Sequence, residues 1–208
     1  MTVNPVERLK ISINKIKDKQ TPDDQRQDFL KELCHWAEEL DLAKDFFAVG
    51  GLDILRPLLE HQDDLIRMQT CSLLATLIQN NEQCQRIIVQ SGLQEKLLKI
   101  VDQSDNAELK TKAVTAISGK LTFALSTDIV DAYAAALIRG FTLGQLQLQK
   151  FQGVKILIRA LALPIPRLQN KLCFLINTIC SSSAHMKSKI VKIEAESAIA
   201  SSSCFVCP

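Results

Sequence analysis

The sequence predicts an all-α solenoid in which helical units of similar length stack one upon the next. Three observations carry this. Hydrophobic residues make up 47% of the 208 residues, while Gly and Pro together number only 13, about half the usual share, which disfavours disordered and turn-rich all-β chains. Apolar residues recur every three or four positions, the helical period. One grammar of short helix, glycine break, short helix, polar turn and long helix is written three times. A chain of this length can bury most of its apolar surface in one extended core.

The elements follow in order. Residues 1–20 alternate charge with single apolar residues and carry no apolar signal segment, so they read as a partly ordered N-terminal segment. Thr21-Pro22-Asp23-Asp24 opens the first well-marked helix. A hydroxyl is placed to cap free amides, a proline stands where no donor is needed, and carboxylates face the positive helix end. Phe29, Leu33, Trp36 and Leu40 then lie on one stripe, with Trp36 read as a core anchor.

The first copy runs from DFFAVGG (Asp45 to Gly51) through LDILRPLLE and the turn HQDD into LIRMQTCSLLATLIQNN. The second runs from RIIVQSG (Arg86 to Gly92) through LQEKLLKIV into AELKTKAVTAISG. The third runs from Phe151-Gln152-Gly153 through VKILIRALAL into RLQNKLCFLINTIC. Gly51, Gly92 and Gly153 are separated by 41 and 61 residues, and the first interval falls in the ~40–47-residue period of armadillo and HEAT repeats. A glycine at a sharp helix-to-helix turn is expected to supply positive φ. In the long helices Cys71, Leu74, Ala75 and Ile78 match Val114, Ile117 and Ser118, and then Cys173, Ile176 and Asn177. That stripe is expected between stacked repeats, giving a groove lined by the third helices as the binding surface.

Charge divides the chain. Residues 1–131 hold 16 basic and 21 acidic side chains, whereas 132–193 hold nine basic and none acidic. The nine are either a surface for an acidic partner, protein or nucleic acid, or a solvated basic face. No aromatic interleaving accompanies them, so nucleic acid is not the expected partner.

Catalytic and metal chemistry is not expected. His35, His61 and His185 lie far apart without metal-ligand spacing. Cys71, Cys84, Cys173 and Cys180 fall in or beside apolar stripes and read as small buried hydrophobes. Cys204-Phe205-Val206-Cys207 has CxxC spacing but no second pair or following helix, and is not a prenylation box. Carboxylates such as Glu38, Glu39 and Asp41 read as ordinary helix surface. No cofactor site is found. Stretches free of charge fall short of the ~18–20 residues that cross a bilayer, so no membrane span is expected. Seven cysteines without framework spacing suit a reduced, intracellular and cytoplasmic chain.

The run EELDLAKDFFAVGGLDILRPLLEH (Glu38 to His61), with LIRMQTCSLLATLIQNNEQCQ, LKTKAVTAIS and FQGVKILIRAL, resembles the armadillo-type nucleotide exchange factors of the heat-shock protein 70 chaperone, the Hsp70-binding protein family. The likeness extends over roughly residues 25–192. It implies an armadillo-like α-solenoid of stacked three-helix repeats in a right-handed superhelix. It implies, too, a non-enzymatic co-chaperone that embraces the chaperone's ATPase domain and promotes ADP release. The candidate contacts are polar positions recurring on the third helices: Arg67 and Gln69, Lys110 and Lys112, Gln169 and Lys171. The alternative is a general armadillo scaffold holding peptides or helices in its groove. Importin-like peptide binders use Trp and Asn ladders on the third helices, and the single Trp36 argues against that subtype.

Two departures from the family pattern are expected. Lys120 to Ala136, 17 residues, reads as an insertion or splice feature, and without it the second interval shortens to 44. After Cys180, SSSAHMKSKIVKI resembles the opening of a further repeat that 194–208, read as a disordered tail, does not complete. The expected organisation is thus 1–20, a repeat domain over 21–193 with its insertion at 120–136, and the tail 194–208.

Overall fold

The computed structural model describes residues 4–79, 81–118, 148–182 and 184–203. Among them it is built of helices: α1 Pro5–Lys17, α2 Asp23–Trp36, α3 Leu40–Ala48, α4 Leu52–Leu59, α5 Asp64–Leu77, α6 Glu82–Ser91, α7 Leu93–Gln103, α8 Ala107–Ser118, α9 Gly153–Leu161, α10 Pro166–Ser182 and α11 Ala184–Ser203. No described residue is in a β-strand. The helices stack in rows, as a solenoid requires. The third helices α2, α5, α8 and α10 pack side by side in chain order. The second helices α1, α4, α7 and α9 form a parallel row, and α3 lies against α6. The insertion expected at 120–136 and the CxxC pair lie outside the described residues.

The N-terminal segment joins the stack. Asn4 accepts a hydrogen bond from the Val6 N–H at 3.0 Å and Pro5 takes the first helical position, two devices that start helices. Leu9, Ile13 and Ile16 are then buried against α2. Single apolar residues among charges turn out to be a helical stripe of period three to four. In α2 the expected Thr21 cap is absent: the helix starts after Pro22 with no side-chain cap, and Thr21 is buried. Leu30, Leu33 and Ala37 make its core face, while Trp36 is half-buried and Leu40 is 51% exposed, because the chain turns into α3 at that point. At the other end α11 is helical to Ser203, so 194–203, expected as tail, continues a helix. Ala195, Ala198 and Ala200 favour that state, and no Gly or Pro interrupts it.

The α1–α2 junction carries a charge network. Glu32 accepts from Arg8 through Nε at 2.8 Å and Nη2, and from the Ser12 hydroxyl at 2.7 Å. Burial pushes the Glu32 carboxyl upward, but the Ser12 and Arg8 hydrogen bonds outweigh it and hold the group below its ordinary 4.5. A carboxylate with a depressed folded-state pKa contributes stability above the unfolded value and loses it as pH falls through the folded one. Chemical denaturation from pH 6 downward should therefore show wild type losing stability more steeply below about pH 4.5 than Glu32→Gln. Parallel curves would contradict the linkage.

Between repeats, the second-helix row is laced by one ion pair per junction. Lys17 meets Asp53 at 2.9 Å, Lys96 meets Glu60, and Arg159 meets Asp102 at 2.6 Å. Arg159 is thus balanced by a carboxylate from the preceding repeat, which a residue count confined to its own half overlooks.

Gly92 turns the chain with positive φ as expected, but Gly51 and Gly153 do not. Positive φ occurs at Gly50 (86°), Gly92 (75°) and Gln152 (53°), whereas Gly51 has φ −64° and Gly153 is not in the left-handed region. The matched turn positions are therefore 50, 92 and 152. Gly51 and Gly153 serve close approach instead. A Cβ on Gly51 would overlap the Phe46 ring, and one on Gly153 would meet Leu148.

The third copy also shifts. The eighth and eleventh residues of α2, α5 and α8 are buried: Leu30 and Leu33, Cys71 and Leu74, Val114 and Ile117. Their counterparts in α10, Cys173 and Ile176, are exposed and half-buried, as is Asn177 exposed. That face looks toward the following repeat, and among the described residues no further third helix packs on it. The core of α10 is instead Leu168, Leu172, Leu175 and Ile179. Cys71 and Cys84 are buried as expected, with burial pushing their thiols up to about 12 and about 11, values at which a thiol is inert. Cys180 is half-buried.

Candidate functional site

The four third helices present one common stripe to solvent. It comprises the second, fifth, sixth and ninth residue of each helix, the helical spacing of a single face. In α5 these are Leu65, Met68, Gln69 and Ser72; in α8, Glu108, Thr111, Lys112 and Thr115. Because the helices stack in order, the stripes join into one continuous surface, the groove of the solenoid.

The six expected contact residues occupy two positions of each helix, and the structure separates them by role. Arg67, Lys110 and Gln169 are fourth residues. Lys110 is buried, and its ammonium donates to the Val101 carbonyl at 2.7 Å and the Asp102 carbonyl at 3.4 Å. Those carbonyls end α7, so Lys110 caps the preceding helix instead of facing a partner. Gln169 Nε2 donates to the Leu161 carbonyl at the end of α9, 3.2 Å away. In α2 the fourth residue Arg26 does the same to the Asp18 carbonyl at 3.1 Å. Terminal carbonyls lack intrahelical partners, and a cation there also complements the helix dipole. Arg67 departs from the pattern by pairing with Asp64, whose other oxygen accepts from Asn106 Nδ2 at 2.8 Å. The Asn106 and then the Arg67 hydrogen bond hold the Asp64 carboxyl low, and α5 is thereby tied to the start of α8.

Gln69, Lys112 and Lys171 are sixth residues and lie on the exposed stripe, half-buried. Gln69 Oε1 has no hydrogen-bond partner. Burial, followed by the Lys112 ammonium on the neighbouring helix, pushes the Lys171 ammonium below its ordinary value. Two lysines from adjacent repeats are thus held within reach of each other's charge.

Sequence reasoning missed Arg26 and Asn106. Arg26 was findable, since it stands at the position of Arg67 and Lys110 once α2 is recognised as a third helix. Trp36 is then also on a third helix, which weakens its use against a peptide ladder, although α5, α8 and α10 carry no Trp. A charged cleft of about 610 Å³ lies beside the groove, lined by Glu60, Asp64, Arg67, Lys96 and Lys99 among others. Each of its three cations already holds a carboxylate. Among the described residues no group of three His, Cys, Asp or Glu could hold a metal ion, and no helix is long and apolar enough to cross a membrane.

Comparison with known proteins agrees with this architecture. No family model matches the chain. It is 26% identical over 160 residues to rat Hsp70-binding protein 1, covering 76% of this chain and 40% of that one. The human protein of the same name is 27% identical over 156 residues, 74% and 39% of the two chains. The chain therefore spans about 40% of the length of the curated relatives it matches. In structure it is similar to the designed armadillo repeat protein YIII(Dq)4CqI, with TM-score 0.73 at 14% identity over 93% of this chain and 73% of the other. Computationally designed armadillo repeat proteins for modular peptide recognition align with TM-score 0.72 at 15% identity, covering 90% and 71%. In sequence the chain is thus similar to Hsp70-binding protein 1, and its stack of helical units is the armadillo-like fold of the designed repeat proteins.

Proposed function

We propose that the chain is an adenyl-nucleotide exchange factor, a co-chaperone whose third-helix groove binds the ATPase domain of a heat-shock protein 70 chaperone and promotes ADP release in the cytoplasm. The observation that carries this reading is the relationship to Hsp70-binding protein 1, on a scaffold whose continuous exposed stripe suits a protein partner. Linkage supplies the mechanism. A factor that binds the open, nucleotide-free chaperone more tightly than the ADP-bound form must weaken ADP by the same ratio, ~1.4 kcal/mol of preference for each tenfold. Binding energy does the work and no chemical step is needed.

Stopped-flow release of a fluorescent ADP from the chaperone should accelerate with rising concentration of the chain and reach a plateau. No acceleration at saturating, demonstrably bound protein removes the exchange reading. The second reading, a scaffold for peptides or partner helices, is favoured by the likeness to armadillo proteins designed for peptide recognition. Pull-down that captures other clients in place of the chaperone would establish it.

A further inference from the structure

The sixth residues of the third helices change charge in order along the stack. Asp28 on α2 is followed by Gln69 on α5, Lys112 on α8 and Lys171 on α10. Asp28 is exposed and pairs with Lys31 of its own helix at 2.9 Å. By contrast, neither Lys112 nor Lys171 has a carboxylate partner among the described residues. The helices that carry them are packed together. Like charges on neighbouring helices repel, and burial of the stems reduces the water that would screen them. Elsewhere in the molecule cations at repeat junctions are matched by carboxylates, as in Lys17–Asp53, Lys96–Glu60 and Arg159–Asp102. At Lys112 and Lys171, among the described residues, that matching stops.

We propose that Lys112 and Lys171 form a carboxylate-receiving point of the groove, and that its occupant is an acidic, Asp- or Glu-bearing segment of a partner protein laid with its negative end over α8 and α10. A carboxylate between two ammonium groups relieves their repulsion and gains two charge-assisted hydrogen bonds. The gradient from Asp28 to Lys171 sets direction: a segment laid the other way round places its acidic end on α2, against Asp24 and Asp28, and is disfavoured. The natural occupant rests on the reading of the groove as the chaperone-binding surface; the acidic character of the occupant does not.

Fluorescence anisotropy with the full chain and a labelled glutamate-rich dodecapeptide tests this directly, at low salt. Lys112→Gln with Lys171→Gln should weaken binding at least tenfold, while Lys155→Gln with Lys192→Gln, which removes two exposed lysines from α9 and α11, should change it less than twofold. Lys112→Arg with Lys171→Arg should retain binding, which separates lost charge from lost folding. Equal affinities for wild type and the double glutamine variant overturn the proposal, as does failure of wild type to bind the peptide. Tighter binding of an RNA dodecamer than of the peptide overturns the choice of occupant. The ADP-release assay on the same proteins reports separately on the chaperone role: peptide binding without exchange leaves the acidic site standing and removes that role.

Discussion

Replacing Gly51 by alanine is expected to destabilise the protein by roughly 2–3 kcal/mol, at the upper part of the range for overpacking a well-filled core. Its backbone sits in the right-handed region at φ −64°, so the added methyl brings no dihedral strain. The cost comes from Phe46, whose ring is fully buried, stacks edge-on against Phe47 at 5.3 Å between centroids, and occupies the space the methyl would need. A double-mutant cycle isolates this cause. In a Phe46→Leu background, where the ring is gone, Gly51→Ala should lose most of its effect, measured by urea denaturation. Additive losses would show that the clash is not the mechanism. Gly153→Ala should cost less, because the Leu148 side chain it meets can rotate, although the Leu148 carbonyl at 3.0 Å sets a limit. A Cβ on Gly92 would meet only Arg56 Nη2, at an ordinary 3.8 Å, so Gly92→Ala should cost only the ~1–2 kcal/mol of a left-handed non-glycine residue.

The second large loss is expected at Lys110. Lys110→Met keeps the aliphatic stem and removes the donor, leaving the Val101 carbonyl without its 2.7 Å partner. An unsatisfied buried acceptor costs about 1–3 kcal/mol, and the site is closed to replacement by water because Lys110 is only 8% exposed. Gln169→Met, at the same position of α10 but half-buried, should lose less, since water can reach the Leu161 carbonyl. Hydrogen exchange provides the local check: amides in the last turn of α7 should lose protection selectively in Lys110→Met. Neither variant should alter binding of an acidic peptide beyond its effect on the folded fraction, because both side chains point into the stack.

These expectations expose where the sequence was readable. The order and type of helices from Asp23 to Ser118 follow from apolar residues at helical spacing, and so does the stacking of three copies. Residues 5–17 were harder, because one apolar residue per turn among lysines looks like solvated surface until α2 is present to cover Leu9, Ile13 and Ile16. The matched polar positions on the third helices were legible as a recurrence, and their division was not. Positions four and six are two residues apart, so on a helix they point to different faces, and only the packed neighbour tells which one is inside.

By itself the sequence determined an all-α chain of repeated three-helix units, because helical period and turn chemistry are local properties. It also carries the similarity to Hsp70-binding protein 1, 26% identical over 160 residues, in residues in order along the chain. Tertiary structure alone decided that Gly51 serves space and not φ, that Lys110 and Gln169 cap helices, that Arg159 finds Asp102, and that the helices carrying Lys112 and Lys171 pack side by side. Each of these depends on which residue, distant in sequence, the stacking brings within a few ångströms, and that distance is written in no local pattern.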